Sequence, residues 1–366
     1  MKFVHTADWQ IGMRAAHVGA NGFEVRNARF TAAQRVIEIA RDRGADAILV
    51  TGDTFEDNAV QTTDIQRVSD ILASFGGPVY IIPGNHDPAV ASSLWQHAGW
   101  NRANLHVLLK PEPIEAATGI TLFPCPLDSK TSRLDPTAWI ASAGENGVRI
   151  GLAHGTVQGA TVVEDVFPIP RDAATRCGLD FLALGHWHST AAFDEDLSSA
   201  RMAYAGTHET TKFGERDSGN VLLVEVAARG ELPRVEQIRT GGLTWLNLVK
   251  TINSEVDLEA LVNELDGVSN PAATLLDLRL EGILAPGAIS KLQHVRDILN
   301  ARFTLYSAMD DTALLPEPTD GAWIDSLPIG MMRTVAQRLL NSAPTSSEEA
   351  RMALMHLYRC AQGEAA

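Results

Sequence analysis

Polar side chains able to bind ligands or carry protons stand at the ends of several apolar runs in this sequence. They are Asp8, Asp53, Asn85, His154, His186 and His188. In an α/β sheet, ligands bind at the carboxyl ends of the strands, so these side chains can converge on one edge. Each residue alone is weak evidence, because a strand-end Asp or His more often serves a turn. The prediction of one shared site therefore depends on the whole set.

Two short motifs in this set are more specific than the single residues. Gly84-Asn85-His86-Asp87 follows one apolar run, and Gly185-His186-Trp187-His188 follows another. In extended chain, residues two apart point the same way, so His186 and His188 can face a common site.

The first half of the chain alternates β-rich runs with helical patterns, which is the signature of α/β layering. Helices are predicted around residues 30–40 and 63–73, the first ending at Gly44. Strands are predicted at residues 2–7, 46–50, 79–82, 105–109, 120–124, 148–153 and 181–184. From residue 201 the pattern becomes all-β, with strands predicted at 202–205, 221–226 and 235–238.

The pattern changes near Leu246, which predicts a second, smaller α/β domain. A helix is expected at 256–265, a strand at 274–280 and a helix at 289–299. Two more helices are expected at 331–340 and 347–358, separated at Pro344, the second with a capping box at 346–349. We therefore predict a layered α/β domain at 1–245, a capping domain at 246–312 and a C-terminal helical tail at 313–366.

The net charge and the apolar runs of the sequence limit which partners the protein can bind. The formal net charge is −15 over 366 residues, whereas a protein that held DNA alone would be basic. Any nucleic-acid contact is therefore expected to be local, metal-assisted or shared with a partner. No apolar run approaches the roughly 20 residues that span a bilayer, and the first residues lack the features of a signal peptide. We expect a cytoplasmic protein with no membrane contact.

Taken in order, the motifs resemble the five blocks of the calcineurin-like metallophosphoesterase superfamily. The blocks are Asp8-Trp9-Gln10, Gly52-Asp53, Gly84-Asn85-His86-Asp87, His154-Gly155 and Gly185-His186-Trp187-His188. Further details look like the SbcD family of DNA-repair nucleases. These details are Thr6-Ala7-Asp8-Trp9, residues 180–188, Tyr204-Ala205-Gly206 and residues 212–216. The resemblance covers residues 1–245 strongly and the remainder weakly.

The resemblance implies two divalent cations, with Mn²⁺ expected and Mg²⁺, Fe²⁺ or Zn²⁺ as alternatives. One cation is assigned to Asp8, Gln10 and His188. The other is assigned to Asn85, His154 and His186, and Asp53 bridges the pair. Oxygen ligands combined with imidazoles suit Mn²⁺ better than Ca²⁺, and two close cations can activate a water for attack on a phosphate ester.

The resemblance also implies roles for residues that do not bind the cations. His86 is expected to stabilise or protonate the leaving group, and Asp87 to orient His86 by a hydrogen bond. Several basic side chains could line a phosphate-binding face, although scattered charges are more often solvated surface. These side chains are Arg14, Arg26, Arg29, Lys130, Arg133, Lys212 and Arg216. Lys212 and Arg216 are preferred for substrate binding because they lie in a resembling block.

Two departures from the family pattern bear on activity. Gln10 stands where the family usually has histidine, and its neutral carbonyl oxygen is a poorer ligand than imidazole. Glu56 stands where some relatives carry a histidine thought to assist the transition state, a role that an ionised carboxylate cannot fill. We expect both changes to tune the site rather than abolish activity.

The expected function is a Mn²⁺-dependent DNA nuclease subunit that works with an SbcC-like coiled-coil ATPase and forms a homodimer. The capping domain would then select DNA ends. One alternative is a phosphodiesterase acting on small nucleotides, since the same ligands serve both reactions. Another is a scaffold of the same fold in which Gln10 weakens catalysis.

Overall fold

The computed structural model describes residues 1–141, 147–159, 166–193, 196–284, 288–316, 321–342 and 348–361. The chain divides into two compact units, Met1–Leu243 and Thr244–Ala366. Among the described helices, none is both long and apolar enough to cross a bilayer.

The first unit contains the strands and helices that carry the predicted site. Its helices are α1 (Gly22–Asp42), α2 (Thr62–Ala73) and α3 (Ala173–Arg176). Its strands are β1 (Lys2–Thr6), β2 (Ala47–Thr51), β3 (Val79–Ile82), β4 (Leu105–Val107), β5 (Ile114–Ala117), β6 (Ile120–Pro124), β7 (Val148–His154), β8 (Phe181–Gly185), β9 (Ala191–Ala192), β10 (Met202–Tyr204), β11 (Asn220–Glu225) and β12 (Arg234–Arg239).

These strands form two mixed sheets. The first has the order β12-β11-β1-β2-β3-β4, and the second has the order β5-β6-β7-β8-β10-β9. Strands β1 to β4 are parallel to one another, as are β6, β7, β8 and β10. The remaining pairs, β1 with β11, β11 with β12, β5 with β6 and β9 with β10, are antiparallel. Each sheet therefore presents a row of carboxyl ends along one edge.

Alternate residues along a strand serve different cores, as the two-residue period of a strand requires. Leu49 of β2 packs with Leu152 of β7 and Phe181 of β8 between the two sheets. Its neighbour Val50 faces the other way and packs with Val36 of α1. The outer face of the second sheet is covered by α3 and nearby loops. The first unit is thus a layered α/β structure, which confirms the predicted fold class.

Helix α1 forms because small and branched apolar residues recur on one buried face, including Ala33, Val36, Ile37 and Ala40. Gly44, with a φ of 61°, follows its end, where a left-handed residue closes many helices. The predicted helix is confirmed, although it begins earlier than its apolar pattern, at Gly22.

The second unit contains a parallel sheet of the order β13-β14-β15. Its strands are β13 (Thr244–Ile252), β14 (Thr274–Leu284) and β15 (Tyr306–Pro316), joined by helices α4 (Glu255–Asp266) and α5 (Ile289–Arg302). Strands β13 and β15 are absent from the predictions because polar residues, such as Lys250 and Asp310, interrupt their apolar runs. The boundary predicted at residue 312 falls within β15.

Helices α6 (Ala322–Asp325), α7 (Met331–Ser342) and α8 (Glu348–Ala361) follow β15. Ala336 of α7 packs with Leu354 and Met355 of α8 in a small apolar cluster. Pro344 lies outside the described residues, and the predicted capping box at 346–349 begins outside them.

Replacing Gly185 by alanine is expected to destabilise the first unit by about 3 kcal/mol or more, since an added Cβ would overlap a backbone atom. That Cβ would clash with the carbonyl oxygen of Thr51. Urea unfolding followed by tryptophan fluorescence measures the effect. The control Gly330→Ala adds a Cβ that meets no atom within 4 Å; equal stability of both variants would contradict the prediction.

Candidate metal centre

The predicted residues follow the carboxyl ends of strands from both sheets. In the first sheet, Asp8 follows β1, Asp53 follows β2 and Asn85 follows β3. In the second sheet, His154 is the last residue of β7 and His186 comes directly after β8. The face-to-face packing of the sheets brings these two rows of strand ends to one place.

Three of these residues form a tight cluster. Potential ligand atoms of Asp53, His154 and His186 all lie within 4.8 Å of one another. Asn85 lies between the two histidines, with its Oδ1 atom 2.9 Å from Nε2 of His154 and 3.0 Å from Nδ1 of His186. This group matches the expected second set of ligands together with the bridging Asp53.

The imidazole of His154 is oriented by the backbone. Its Nδ1 atom donates to the carbonyl oxygen of Thr51 at 2.9 Å, so its Nε2 atom faces Oδ2 of Asp53 at 3.3 Å. A backbone carbonyl that holds one ring nitrogen in this way leaves the other nitrogen aimed at a metal.

Asp53 and His154 shift each other's pKa in opposite directions. Burial opposes the charge of His154, but Asp53, Asp8 and the carbonyl of Thr51 together outweigh burial and raise the pKa of His154 to about 9. Burial also opposes the charge of Asp53, yet His154 lowers the pKa of Asp53 to about 2. The two groups therefore form a buried ion pair at neutral pH.

Asp8 and Gln10 lie beside this cluster. Both carboxylate oxygens of Asp8 lie 3.0 Å from the backbone nitrogen of His186, which donates to them. Burial raises the pKa of Asp8 to about 6, against the opposing effect of His154. Gln10 donates through Nε2 to Asp53 at 3.2 Å, while its buried Oε1 atom has no hydrogen-bond partner within the described part of the chain.

The unpartnered oxygen of Gln10 tests whether a metal fits here. A buried acceptor without a partner is uncommon and needs an explanation. A cation beside Asp53 would provide that partner. Buried carboxylate, amide and imidazole groups together are also the donor set that first-row divalent cations prefer. The residues therefore fit the metal pair that the sequence predicts.

His188 is held by a residue that the sequence analysis left without a role. Its Nδ1 atom donates to Oε1 of Glu215 at 2.7 Å, and the backbone nitrogen of Thr211 donates to the other oxygen of Glu215 at 2.8 Å. Burial alone would lower the pKa of His188, but the bond to Glu215 raises it. The signal for Glu215 was its place in the resembling block at 212–216.

The two predicted substrate-binding residues are placed differently. Lys212 lines a cleft of about 370 Å³ together with the predicted metal ligands His186 and His188. Arg216 is exposed and does not belong to the described lining of this cleft.

The expected hydrogen bond between Asp87 and His86 is not found, and this expectation is corrected. The carboxylate of Asp87 accepts from the backbone nitrogens of Gly84 at 2.7 Å and Phe55 at 2.9 Å. The Nδ1 atom of His86 instead donates to the carbonyl oxygen of Glu56 at 3.1 Å. Both oxygens of the buried Asp87 carboxylate are taken up by these backbone nitrogens, which leaves neither oxygen for His86. Asp87 therefore shapes the loop, while Glu56 orients His86.

The backbone at four predicted metal ligands is left-handed. The φ angles are 53° at Asp8, 49° at Gln10, 49° at Asp53 and 107° at His186. Non-glycine residues seldom adopt such angles, and they concentrate at functional sites where the surrounding structure enforces them.

A layered α/β fold with carboxylate, amide and imidazole groups at its strand ends defines a class of metal-binding phosphoesterases. The sequence pattern of the calcineurin-like phosphoesterase family matches residues 1–190, which is more than half of the chain. This chain belongs to that family.

Known proteins are similar to this chain, among them one curated relative and one solved structure. It is 22% identical over 239 residues to the uncharacterized metallophosphoesterase YhaO of Bacillus subtilis (strain 168), in an alignment that covers 62% of this chain and 57% of YhaO. The chain thus spans little more than half the length of that relative. It also resembles the crystal structure of TT1561 from Thermus thermophilus, with a TM-score of 0.42 and 12% identity, covering 65% of this chain and 98% of TT1561.

Mn²⁺ affinity is expected to rise with pH by up to about tenfold per unit from near pH 7 towards pH 9. The folded-state pKa of His154 is about 9, so below that pH the ring carries a proton that a cation must displace. Calorimetric titration over this range measures the affinity, and buffers of different ionisation enthalpy count the released protons. An affinity independent of pH, with no proton release, would contradict the assignment of His154 as a metal ligand.

Proposed function

We propose that this chain is an SbcD-like nuclease subunit that hydrolyses phosphodiester bonds in DNA with two divalent cations, Mn²⁺ being the expected metal. The observation that carries the proposal is the buried cluster of Asp53, His154 and His186, with Asn85 between the histidines. Cations bound there would supply Lewis-acid charge and lower the pKa of a water.

The residues around the cluster have separate tasks in this proposal. Asp53 is kept ionised by His154 and is held in place by the backbone nitrogen of His86, which donates to its Oδ1 atom at 2.8 Å. Because Nδ1 of His86 donates to the carbonyl of Glu56, its Nε2 atom remains to protonate a leaving oxygen. Imidazole suits this task near neutral pH.

The SbcD-like subtype is supported by how the resembling blocks contribute to the site. Tyr204 donates through its hydroxyl to the carbonyl of Gly155 at 2.6 Å and accepts from the backbone nitrogen of Val157 at 2.8 Å. It thereby fixes the loop that follows His154. Glu215, from the last block, orients His188. Two of the four motifs that suggest this subtype therefore position residues of the proposed metal site.

An SbcC-like coiled-coil ATPase is the proposed partner, and the subunit is proposed to act as a homodimer. Exposed apolar side chains around the start of α7 offer a contact surface: Ile329, Met331, Met332 and Val335. Ala336 of the same helix packs inward on α8, so α7 has both a packed and an exposed apolar face. Exposed methionines suit an adaptable contact with another protein.

Substitution of His86 by alanine is expected to lower kcat by about 10²–10⁴-fold with Mn²⁺ affinity nearly unchanged, because the ring acts on the leaving group. Asp53→Ala is expected to lose both activity and Mn²⁺ binding. Calorimetry and steady-state kinetics measure the two effects. His294→Ala, at an exposed position on α5, is the control. Near wild-type turnover by His86→Ala would refute the assigned role.

The nuclease assignment predicts Mn²⁺-dependent cleavage of DNA, enhanced by the ATPase partner. Linear and circular DNA are incubated with the chain, with and without an SbcC-like ATPase. Hydrolysis of bis-p-nitrophenyl phosphate without cleavage of either DNA would favour the small-nucleotide alternative. If neither wild type nor Gln10→His hydrolysed any substrate with Mn²⁺ supplied, the scaffold alternative would replace both.

A further inference from the structure

Two loops lead away from the metal centre side by side. The backbone nitrogen of Gln10 donates to the carbonyl oxygen of Asp53 at 3.0 Å, and that of Glu56 donates to Ile11 at 2.9 Å. The segment after β1 and the segment after β2 are therefore hydrogen-bonded where they leave the site. Ile11 and Glu56 then line a separate cleft of about 600 Å³.

This cleft is rich in arginine. Four arginines and three carboxylates contribute to its lining: Arg14, Arg26, Arg29 and Arg67, with Glu56, Asp57 and Asp64. The local balance is thus positive in a protein whose formal net charge is −15. Local positive charge in an acidic protein indicates attraction of an anion to this place.

Arg29 places a buried charge in the wall of the cleft. Only 2% of its surface is exposed, and burial lowers its pKa to about 10 although Glu209, Glu215 and Glu56 all lie near enough to favour the charge. Its Nη2 atom contacts Sδ of Met13 at 3.0 Å, while Nε and Nη1 have no hydrogen-bond partner among the described residues. The three carboxylates offset this buried charge, so the positive charge available to a ligand in the cleft comes from the exposed Arg14 and Arg26.

An exposed aromatic ring lies next to the arginines. Phe23 is 65% exposed and precedes Arg26 by three positions on α1, so both side chains lie on the same face of the helix. Arg67 stacks on the ring of Phe30, with its guanidinium carbon 3.8 Å from the ring centroid. Proteins bind single-stranded nucleic acid with guanidinium groups that contact its phosphates and aromatic rings on which its bases stack.

We propose that this arginine cleft binds an unpaired stretch of the DNA strand being cut, with phosphates at Arg14 and Arg26 and a base on Phe23. The inference rests on the proposed nuclease function and names how the substrate reaches the metals. It moves the main substrate contact from Lys212 and Arg216 to the loops after β1 and β2 and the start of α1. A single strand fits better than a duplex, because a duplex keeps its bases stacked away from Phe23.

The test measures affinity for a short fluorescein-labelled single strand by anisotropy at several salt concentrations. EDTA is present, so binding is separated from hydrolysis. For single strands, loss of one phosphate contact makes the negative slope of log K against log salt shallower by about 0.7. Arg14→Gln and Arg26→Gln are each expected to show this loss, and Arg26→Lys to retain the slope. Phe23→Ala is expected to weaken binding about tenfold without changing the slope.

The matched control is Arg234→Gln, at an exposed arginine on β12 that does not line the cleft. If the wild type binds the strand and every arginine variant shows the same salt slope as the wild type, the cleft proposal is overturned while the nuclease assignment stays intact. A wild-type protein that neither binds nor cleaves DNA would overturn the nuclease assignment and the cleft proposal with it. Preference for a matched duplex over the single strand would also overturn the proposed occupant.

Discussion

The contact between Asp53 and His154 is the interaction on which the rest of the site depends, because it joins the two sheets. Asp53 follows a strand of the first sheet, and His154 ends a strand of the second. Both side chains are buried, so their opposite charges interact in a medium that screens them weakly. The carbonyl of Thr51 holds the imidazole in place. The candidate metal centre is therefore a property of how the sheets pack, since neither sheet alone contains its residues.

Close backbone approach makes this contact geometrically feasible. A Cβ at Gly84 would overlap the carboxylate of Asp53, and one at Gly185 would overlap the carbonyl of Thr51. The strand ends are also tied by His5, whose Nε2 atom lies 3.0 Å from Oγ1 of Thr51 and 3.1 Å from the carbonyl oxygen of Leu184. Small residues and a buried imidazole thus allow the two rows of strand ends to meet.

The strand-end motifs could be predicted because they are local: an apolar run followed by a polar residue places that residue at a sheet edge whatever the remainder does. The contacts between separate segments could not be predicted in this way. Glu215 orients His188 from 27 positions away, and Asp87 binds Phe55 rather than its neighbour His86. Arg14, Arg26 and Arg29 were named from the sequence as possible phosphate contacts, but their grouping with Arg67 and Phe23 in one cleft of two helices and two loops was not. Strands β13 and β15 were missed because polar residues interrupt their apolar runs.

The backbone is left-handed at Asp8, Gln10, Asp53 and His186, so the side chains needed for the site stand where the fold would be more stable with glycine. Each such angle costs on the order of 1–3 kcal/mol for a residue with a side chain, and glycine would relieve it. Exchange of these residues for glycine would therefore relieve backbone strain, at the cost of the hydrogen bonds that Asp8 and Asp53 accept from the backbone. Retention of all four side chains is a sharper sign of a working enzyme than retention of the fold.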